Sequence, residues 1–239
     1  MNVFYVAARS IFRMTGLVSL IERMSPPTAY EKRFHEELVK AVKPGDVVWD
    51  VGANVGLYTE QFCRWVGERG SVVAFEPGVE ACESIRERIP NCAWLKLENV
   101  ALGETDMAGR LVIEGSSVDN HIKTAGNPAE DSVNTIPVTI CRGDTVRDRL
   151  GQMPDIVKVD VEGFEEEVSA GFGDMLATPK LRGLFVEVHF NKLARRGRTF
   201  APVRIEKLLR SNGFTTKWAD RSHIVATRSS SSPASGLAA

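Results

Sequence analysis

The polar and apolar positions of the chain follow the spacing of strands and helices in turn. A short apolar run at residues 47–49 ends at a turn with two glycines, and residues 57–66 then carry apolar side chains at helical spacing. A β-branched and aromatic run at 72–75 precedes a second helical segment at 79–89. This alternation predicts an α/β fold, with a mostly parallel sheet and helices on both faces.

The pattern continues after an interruption. Between residues 110 and 140 the alternation fails, and two apolar segments flank the polar stretch 114–134. We expect a hairpin or sheet extension here, which would form a flap on the substrate side. The remaining predicted elements are strands at 93–97, 155–161, 184–189, 214–218 and 223–227, and helices at 30–42, 145–150 and 203–211.

Two terminal segments are predicted to lie outside the main domain. Residues 3–24 are mostly apolar, but Arg9, Arg13 and Arg23 leave no run long enough to cross a bilayer. We favour a helix packed over the core or the active site, rather than a weak membrane anchor. The chain therefore divides into a helical extension at 1–27, a domain at 28–228 and a disordered tail at 229–239.

Composition limits the classes of function. The 239 residues include 43% hydrophobic residues, enough for one full core. The formal net charge is −1, so nucleic acid is not the expected partner. Four scattered cysteines form no Cys-x-x-Cys pair, and no secretory leader is evident, so we expect reduced thiols in a cytoplasmic protein.

A ligand-binding turn is predicted in the run DVGANVG, which begins at Asp50. Gly52 allows a sharp turn, and Gly56 lets a ligand approach the first turn of the helix, whose free N–H groups favour negative charge. Asp50 ends a buried strand and needs a partner, which suggests that the ligand also carries a positive group. The dinucleotide fingerprint requires glycine where this chain has Asn54, which disfavours a nicotinamide cofactor.

Three further residues are expected near a nucleotide. Glu76 ends the second strand, 24 residues after Gly52, close to the spacing of the acid that binds ribose hydroxyls in nucleotide-binding βαβ units. The third strand exits through Asn99 and Val100, which would border the pocket and meet the adenine. A helix-capping carboxylate at 76 and an ordinary turn asparagine at 99 are the simpler alternatives.

Charged residues are also predicted within the central strands. Lys158 and Asp160 share one face of their strand, and Glu187 and His189 share one face of theirs. Isolated charges in a sheet covered on both faces are costly, so they must pair or bind a ligand. We expect Lys158 to pair with Glu187, and Asp160 and His189 to face the cleft beyond the strand ends.

Five motifs together resemble the FkbM family of methyltransferases: DVGANVG, FEP, NVALG, KVDVEGFE and EVH. The run KVDVEGFE, which begins at Lys158, is the most specific of them. The resemblance implies a Rossmann-like class I methyltransferase fold, with a seven-stranded sheet whose last strand is antiparallel, and S-adenosylmethionine as cofactor. The residues expected to bind the cofactor are Asp50, Gly52, Asn54, Gly56, Glu76, Asn99, Val100 and Asp160.

The resemblance also implies a reaction. Members of this family mostly methylate hydroxyl oxygens of sugars, polyketides and other secondary metabolites, so the expected acceptor is a hydroxyl of a small molecule or glycan. Such a transfer needs a base. We expect His189 to act as the base, because its ordinary pKa of about 6.5 suits neutral pH, with Glu162 and Asp160 as catalytic alternatives.

Two other interpretations remain open. Asp160, Glu187 and His189 could instead hold a divalent ion, but the buried Lys158 would repel it unless neutralised, so no metal is expected. The second interpretation is a degenerate methyltransferase that binds S-adenosylmethionine as a scaffold, and the intact Asp50, Glu76 and Asp160 argue against it.

Overall fold

A seven-stranded sheet with helices on both faces forms the centre of the protein. The computed structural model describes residues 32–112, 121–124 and 135–228. The strands are β1 Val47–Val51, β2 Ser71–Phe75, β3 Leu95–Glu98, β4 Ala101–Gly103, β5 Met107–Val112, β6 His121–Thr124, β7 Thr135–Arg142, β8 Ile156–Val159, β9 Gly183–Glu187, β10 Thr215–Trp218 and β11 His223–Thr227. The helices are α1 Lys32–Ala41, α2 Leu57–Val66, α3 Val79–Arg88, α4 Gly143–Leu150, α5 Glu165–Gly171, α6 Phe190–Arg195 and α7 Ala201–Ser211, with a 3₁₀ helix at Gly173–Ala177.

The large sheet has the strand order β10-β11-β9-β8-β1-β2-β3. Strands β9, β8, β1, β2 and β3 are parallel to one another. The last strand of the chain, β11, is antiparallel to both of its neighbours, β9 and β10. The structure confirms the predicted α/β fold with a mostly parallel seven-stranded sheet.

Successive residues of the central strands enter two different hydrophobic clusters. In β1, Val48 packs in a cluster with Phe62 of α2, whereas the neighbouring Trp49 packs in a larger cluster with Val168 of α5 and Ile205 of α7. Neighbouring side chains of a strand point to opposite faces, so both faces of the sheet are covered. This explains why residues 47–49 are continuously apolar rather than alternating.

A separate four-stranded sheet occupies the region predicted to break the alternation. Its order is β4-β7-β5-β6, with β5 antiparallel to both β6 and β7, and β4 parallel to β7. Among the residues described, the expected hairpin or sheet extension is therefore confirmed. Its function as a substrate-side flap stays a prediction.

Two central strands end earlier than their apolar patterns suggest. Strand β8 ends at Val159, and β9 ends at Glu187. Asp160 and His189 therefore follow their strands, and both lie at the carboxyl edge of the sheet. Ligands of open α/β sheets bind at this edge, so a functional site is expected here.

The predicted terminal segments, 1–27 and 229–239, lie outside the described residues, so the division of the chain into these segments and a central domain stays a prediction. Within the part of the chain that the structure describes, no helix is both long and apolar enough to cross a membrane.

Candidate active site

The turn after β1 brings the ends of three strands together. Gly52 has a φ of 79°, and a Cβ atom at this position would lie 1.8 Å from the backbone oxygen of Asp160. The N–H groups of Gly52 and Ala53 both donate to the carbonyl oxygen of Phe75, at 3.0 and 3.1 Å. Only glycine fits here, because a side chain would push the ends of β1 and β8 apart.

The turn enters α2 through two residues in the left-handed conformation, Asn54 with φ 49° and Gly56 with φ 81°. A Cβ atom at Gly56 would lie 3.0 Å from the side chain of Ile85, so the glycine at 56 makes room for α3. The Oδ1 atom of Asn54 is buried without a hydrogen-bond partner within the described residues. A buried acceptor of this kind is costly unless a ligand donates to it.

Glu76 follows β2 and lies beside this turn. Its side chain is buried, with 8% exposure for the residue. One carboxylate oxygen accepts the N–H of Asn54 at 2.8 Å, and the other accepts the N–H of Gly78 at 2.8 Å. Burial raises the pKa of Glu76, although these two hydrogen bonds oppose the shift. Each oxygen keeps a second lone pair with which it can accept a ligand hydroxyl.

Asn99 holds the loop that carries Glu76. Its side-chain Nδ2 donates to the carbonyl oxygens of Glu76, at 2.9 Å, and Pro77, at 3.0 Å. Val100 is half-buried against the larger hydrophobic cluster. An adenine contact by these two residues stays a prediction, and the structure gives Asn99 a positioning role that the sequence did not indicate.

Lys158 pairs with aspartates and not with Glu187, so the expected Lys158–Glu187 pair is wrong. Its Nζ lies 3.4 Å from Oδ1 of Asp50 and 3.4 Å from Oδ2 of Asp160. The register explains this, because Asp50 on β1 lies directly beside Lys158 on β8, whereas the β9 residue beside Lys158 is Phe185. Burial opposes the charge on Lys158, but the two aspartates raise its pKa.

Asp50 is completely buried. Its Oδ2 accepts a hydrogen bond from Oγ1 of Thr59 at 2.7 Å, and its Oδ1 faces Lys158. The chain itself therefore supplies the positive partner of Asp50, and this carboxylate is no evidence for a positive group on the ligand.

Glu187 is held by a residue that the sequence patterns did not single out. His223 of β11 lies opposite Glu187 of β9 in the antiparallel register, and its Nε2 is 3.3 Å from Oε2 of Glu187. His223 also contacts Asp220, with Nδ1 at 2.8 Å from Oδ1. A lone histidine in an apolar strand resembles an ordinary core residue, so no local signal identified it.

His189 is surrounded by carboxylates. Its Nδ1 lies 2.8 Å from Oε1 of Glu165. Its Nε2 lies 3.1 Å from Oε2 of Glu162 and 3.7 Å from Oδ1 of Asp160. The structure thus brings together the three residues predicted to be catalytic, and adds Glu165 to them.

The carboxylates change the protonation of His189. Burial disfavours its charged form, but the hydrogen bond with Glu165 and the negative charges of Asp160 and Glu162 raise its pKa to about 9. The assumption of an ordinary histidine pKa is therefore wrong, and the ring is protonated at neutral pH. Burial raises the pKa of Glu162, whereas Lys158 and His189 together overcome burial and lower the pKa of Asp160.

Glu165 is the residue of the cluster that sequence reasoning missed. It is fully buried at the start of α5, and its Oε1 also accepts the N–H of Gly163 at 2.8 Å. The signal was present as the last acid of KVDVEGFE, but the burial of Glu165 and its contact with His189 are visible only in the fold.

Comparison with known proteins assigns this arrangement to a family. Residues 50–216 match the family model described as the methyltransferase FkbM domain. The chain belongs to the FkbM family of methyltransferases. S-adenosylmethionine is the cofactor of this FkbM protein. The match includes the glycine turn, Glu76 and the cluster around His189.

One curated relative is similar to this chain over part of its length. The FkbM protein is 27% identical over 154 residues to the hexuronic acid methyltransferase AglP of Haloferax volcanii, covering 64% of this chain and 59% of that protein. The chain thus spans about three fifths of this relative's length.

The solved structures share the fold. A candidate methyltransferase from Streptococcus mutans, solved in complex with SAH, has a TM-score of 0.53 at 10% identity, covering 84% of this chain and 99% of that one. An rRNA methylase from Streptococcus thermophilus has a TM-score of 0.52 at 10% identity, covering 85% of this chain and 99% of that one. Identities this low show a common fold and nothing about the acceptor.

Proposed function

We propose that this FkbM methyltransferase methylates a hydroxyl oxygen of a small molecule, a sugar or a glycan. The observation that carries the proposal is the cluster of Asp160, Glu162 and His189 at the carboxyl edge of the sheet, next to the glycine turn. A hydroxyl loses its proton when it is methylated, and a cluster of acids and a histidine can accept that proton. The likeness to a hexuronic acid methyltransferase supports a sugar acceptor.

We propose that the glycine turn and Glu76 hold the cofactor. Two observations fit S-adenosylmethionine: the buried Oδ1 of Asn54 lacks a donor among the described residues, and the buried carboxylate of Glu76 can accept ribose hydroxyls. When bound, S-adenosylmethionine supplies a methyl group activated by a positively charged sulfur. The proposed cofactor site consists of Asp50, Gly52, Asn54, Gly56, Glu76, Asn99, Val100 and Asp160, with the fully buried Asp50 acting through Lys158 and Thr59.

Within the cluster, Glu162 is best placed to accept the acceptor's proton. Both ring nitrogens of His189 face carboxylates, Nδ1 towards Glu165 and Nε2 towards Glu162, so the ring acts as a donor. The contacts of Glu162 with His189 and with Lys192, at 3.1 and 3.0 Å, both use Oε2, which leaves Oε1 for the proton. His189 and Lys192 then position the base, which changes the role expected for His189 from the sequence.

The proposal is tested by identifying the labelled product. Cell extract and purified glycans that contain either hexuronic acids or neutral hexoses are incubated with the protein and S-adenosylmethionine carrying an isotopically labelled methyl group. We expect a labelled product by mass spectrometry that survives mild alkali, because a methyl ether resists alkali and a methyl ester does not. Glu162→Gln is expected to form this product more slowly without weaker binding of the cofactor.

Three outcomes would contradict hydroxyl methylation. An alkali-labile product would place the methyl group on a carboxylate. A label on nitrogen or carbon would assign another acceptor atom. Binding of S-adenosylmethionine by calorimetry, with no product from any acceptor, would favour the scaffold interpretation.

Glu76→Gln is expected to weaken S-adenosylmethionine binding roughly 10- to 100-fold, the loss typical of hydrogen bonds to a charged group. The amide keeps the size of the side chain but removes its charge and one acceptor oxygen. Isothermal titration calorimetry measures the change, and Glu80→Gln, an exposed acid in the first turn of α3, is the matched control. Wild-type affinity in Glu76→Gln would show that the carboxylate does not hold the cofactor.

A further inference from the structure

We propose that Asp160, Glu162 and His189 form a binding site for a divalent cation, with Mn²⁺ as the best match. One ligand atom from each residue lies within 4.8 Å of the other two. The Nε2 of His189 is 3.1 Å from Oε2 of Glu162 and 3.7 Å from Oδ1 of Asp160. An octahedral ion with bonds of about 2.1 Å places neighbouring ligand atoms about 3 Å apart and opposite ones about 4.2 Å apart. Both distances from Nε2 of His189 lie within this range.

A fourth residue orients the histidine for this task. Histidines that bind metals usually donate their other ring N–H to a carboxylate, which fixes the ring and strengthens the ligand. Here Nδ1 of His189 contacts the fully buried Glu165 at 2.8 Å, and this contact turns Nε2 towards Asp160 and Glu162. The ring carries a proton on Nε2 only while no ion is bound, and a cation that binds there displaces this proton. The second oxygen of Glu165, Oε2, is buried with no hydrogen-bond partner in the described part of the chain. The cluster is thus an imidazole with a buried supporting carboxylate, and not a group of surface acids.

The charges around the site favour an added cation. Glu162, Asp160 and Glu165 all approach His189, and Oε1 of Glu187 lies 3.9 Å from Nε2. This is four carboxylates around one ring. Repulsion from the buried Lys158 is offset, because Lys158 is shared between Asp50 and Asp160 at 3.4 Å each. Lys192, whose Nζ lies 3.0 Å from Oε2 of Glu162, has to give up this contact when the ion binds.

The ligand set differs from the one considered from the sequence. The alternative that the sequence left open, although no metal was expected, had Glu187 as a ligand with Asp160 and His189. In the structure His223 holds one oxygen of Glu187 at 3.3 Å. Glu162 takes its place, because the turn after β8 directs this carboxylate to Nε2 of His189.

The chemistry of the ligands selects the ion. Carboxylates suit Mg²⁺, Ca²⁺ and Mn²⁺, whereas imidazole suits transition metals, so two carboxylates and one imidazole favour Mn²⁺. Three protein ligands leave positions of an octahedral ion open for the acceptor's oxygen, whose proton the cation would make more acidic. Glu162 would bind the ion through Oε2 and keep Oε1 for the proton. This role rests on the proposed hydroxyl methylation, but the cation site itself does not.

The test measures Mn²⁺ binding directly. The full chain is stripped of metal with a chelator and titrated with MnCl₂, without methyl donor or acceptor, while free Mn²⁺ is followed by electron paramagnetic resonance. We expect one ion per chain. Asp160→Asn, Glu162→Gln and His189→Gln should each weaken binding at least tenfold, and Glu165→Gln roughly 10- to 100-fold.

Asp174→Asn is the matched control, because it removes an equal charge from an exposed aspartate paired with Arg147. Its affinity for Mn²⁺ should equal that of the wild type. Thermal unfolding shows which variants are folded, and only those are compared. Absence of Mn²⁺ binding to the wild-type chain overturns the proposal, as does unchanged binding in the folded ligand variants. Either result would contradict the cation site alone. Hydroxyl methylation is tested separately, by the formation of the alkali-stable labelled product.

Discussion

Gly52→Ala is expected to lower the free energy of unfolding by about 3–5 kcal/mol, which is a large part of the stability of a typical domain. Two costs add together. The φ of 79° is unfavourable for alanine, and the new Cβ atom would lie 1.8 Å from the backbone oxygen of Asp160. Backbone cannot rotate away as a flexible side chain can, so β1 and β8 must separate where their ends meet. Urea unfolding of the purified variant measures the loss.

Gly45→Ala separates these two costs. Gly45 has a similar φ of 89°, but a Cβ atom there would have nothing within 4 Å. Alanine at 45 should therefore cost only the conformational term, about 1 kcal/mol. Equal losses in the two variants would show that the close approach of Gly52 to Asp160 contributes nothing.

Lys158→Met is expected to cost about 3–5 kcal/mol, because removal of one partner leaves the other charge buried and uncompensated. Asp50 is completely buried, and Lys158 is the cation that balances it. Methionine keeps the length of the side chain, so the loss measures charge more than volume. Chemical unfolding at neutral pH gives the value.

Two further variants make this result interpretable. Lys180→Met removes a lysine that is 48% exposed and pairs with Asp155 at 3.0 Å, and such surface pairs contribute at most about 1 kcal/mol. The double variant Lys158→Met with Asp50→Asn removes both charges and should recover part of the stability. A loss below about 1 kcal/mol in Lys158→Met would show that Asp50 is neutral or solvated without its lysine.

Gly52→Ala and Lys158→Met test neighbouring parts of the same edge of the sheet. Gly52 allows β1 to approach Asp160, and Lys158 draws Asp50 and Asp160 together. The proposed cofactor turn and the cluster around His189 are therefore held by the same contacts. A variant that loosens this edge should weaken binding of S-adenosylmethionine as well as stability.

Local patterns predicted the elements well where one periodicity dominated. The apolar run at 47–49 and the helical spacing after Gly56 correspond to β1 and α2. The predicted strand ends were less accurate. At the end of β8, the N–H of Asp160 donates to the carbonyl oxygen of Val51 of β1. Valines and charged residues continue to alternate beyond this hydrogen bond, so the pattern does not mark the end of the strand. The residue types do not show where the ladder ends.

The candidate site was predicted in its members but not in its contacts. The residues that meet at the carboxyl edge, Asp160, Glu162 and His189, were identified because chemically active side chains followed buried strands. The wrong pairing of Lys158 with Glu187 came from assigning partners by face, without the register that places Asp50 beside Lys158. His189 was given an ordinary pKa because Glu165 lies 24 residues away in the chain.

Residue patterns alone establish that this protein alternates strands and helices, carries a glycine turn after its first strand, and contains the motifs of the FkbM family. Those features are local, since each depends on a few consecutive residues. Only the folded chain decides which charges meet, because the contact of Lys158 with Asp50 joins residues 108 positions apart. Strand register and burial set those contacts, and with them the protonation of His189 and the cation site proposed around it.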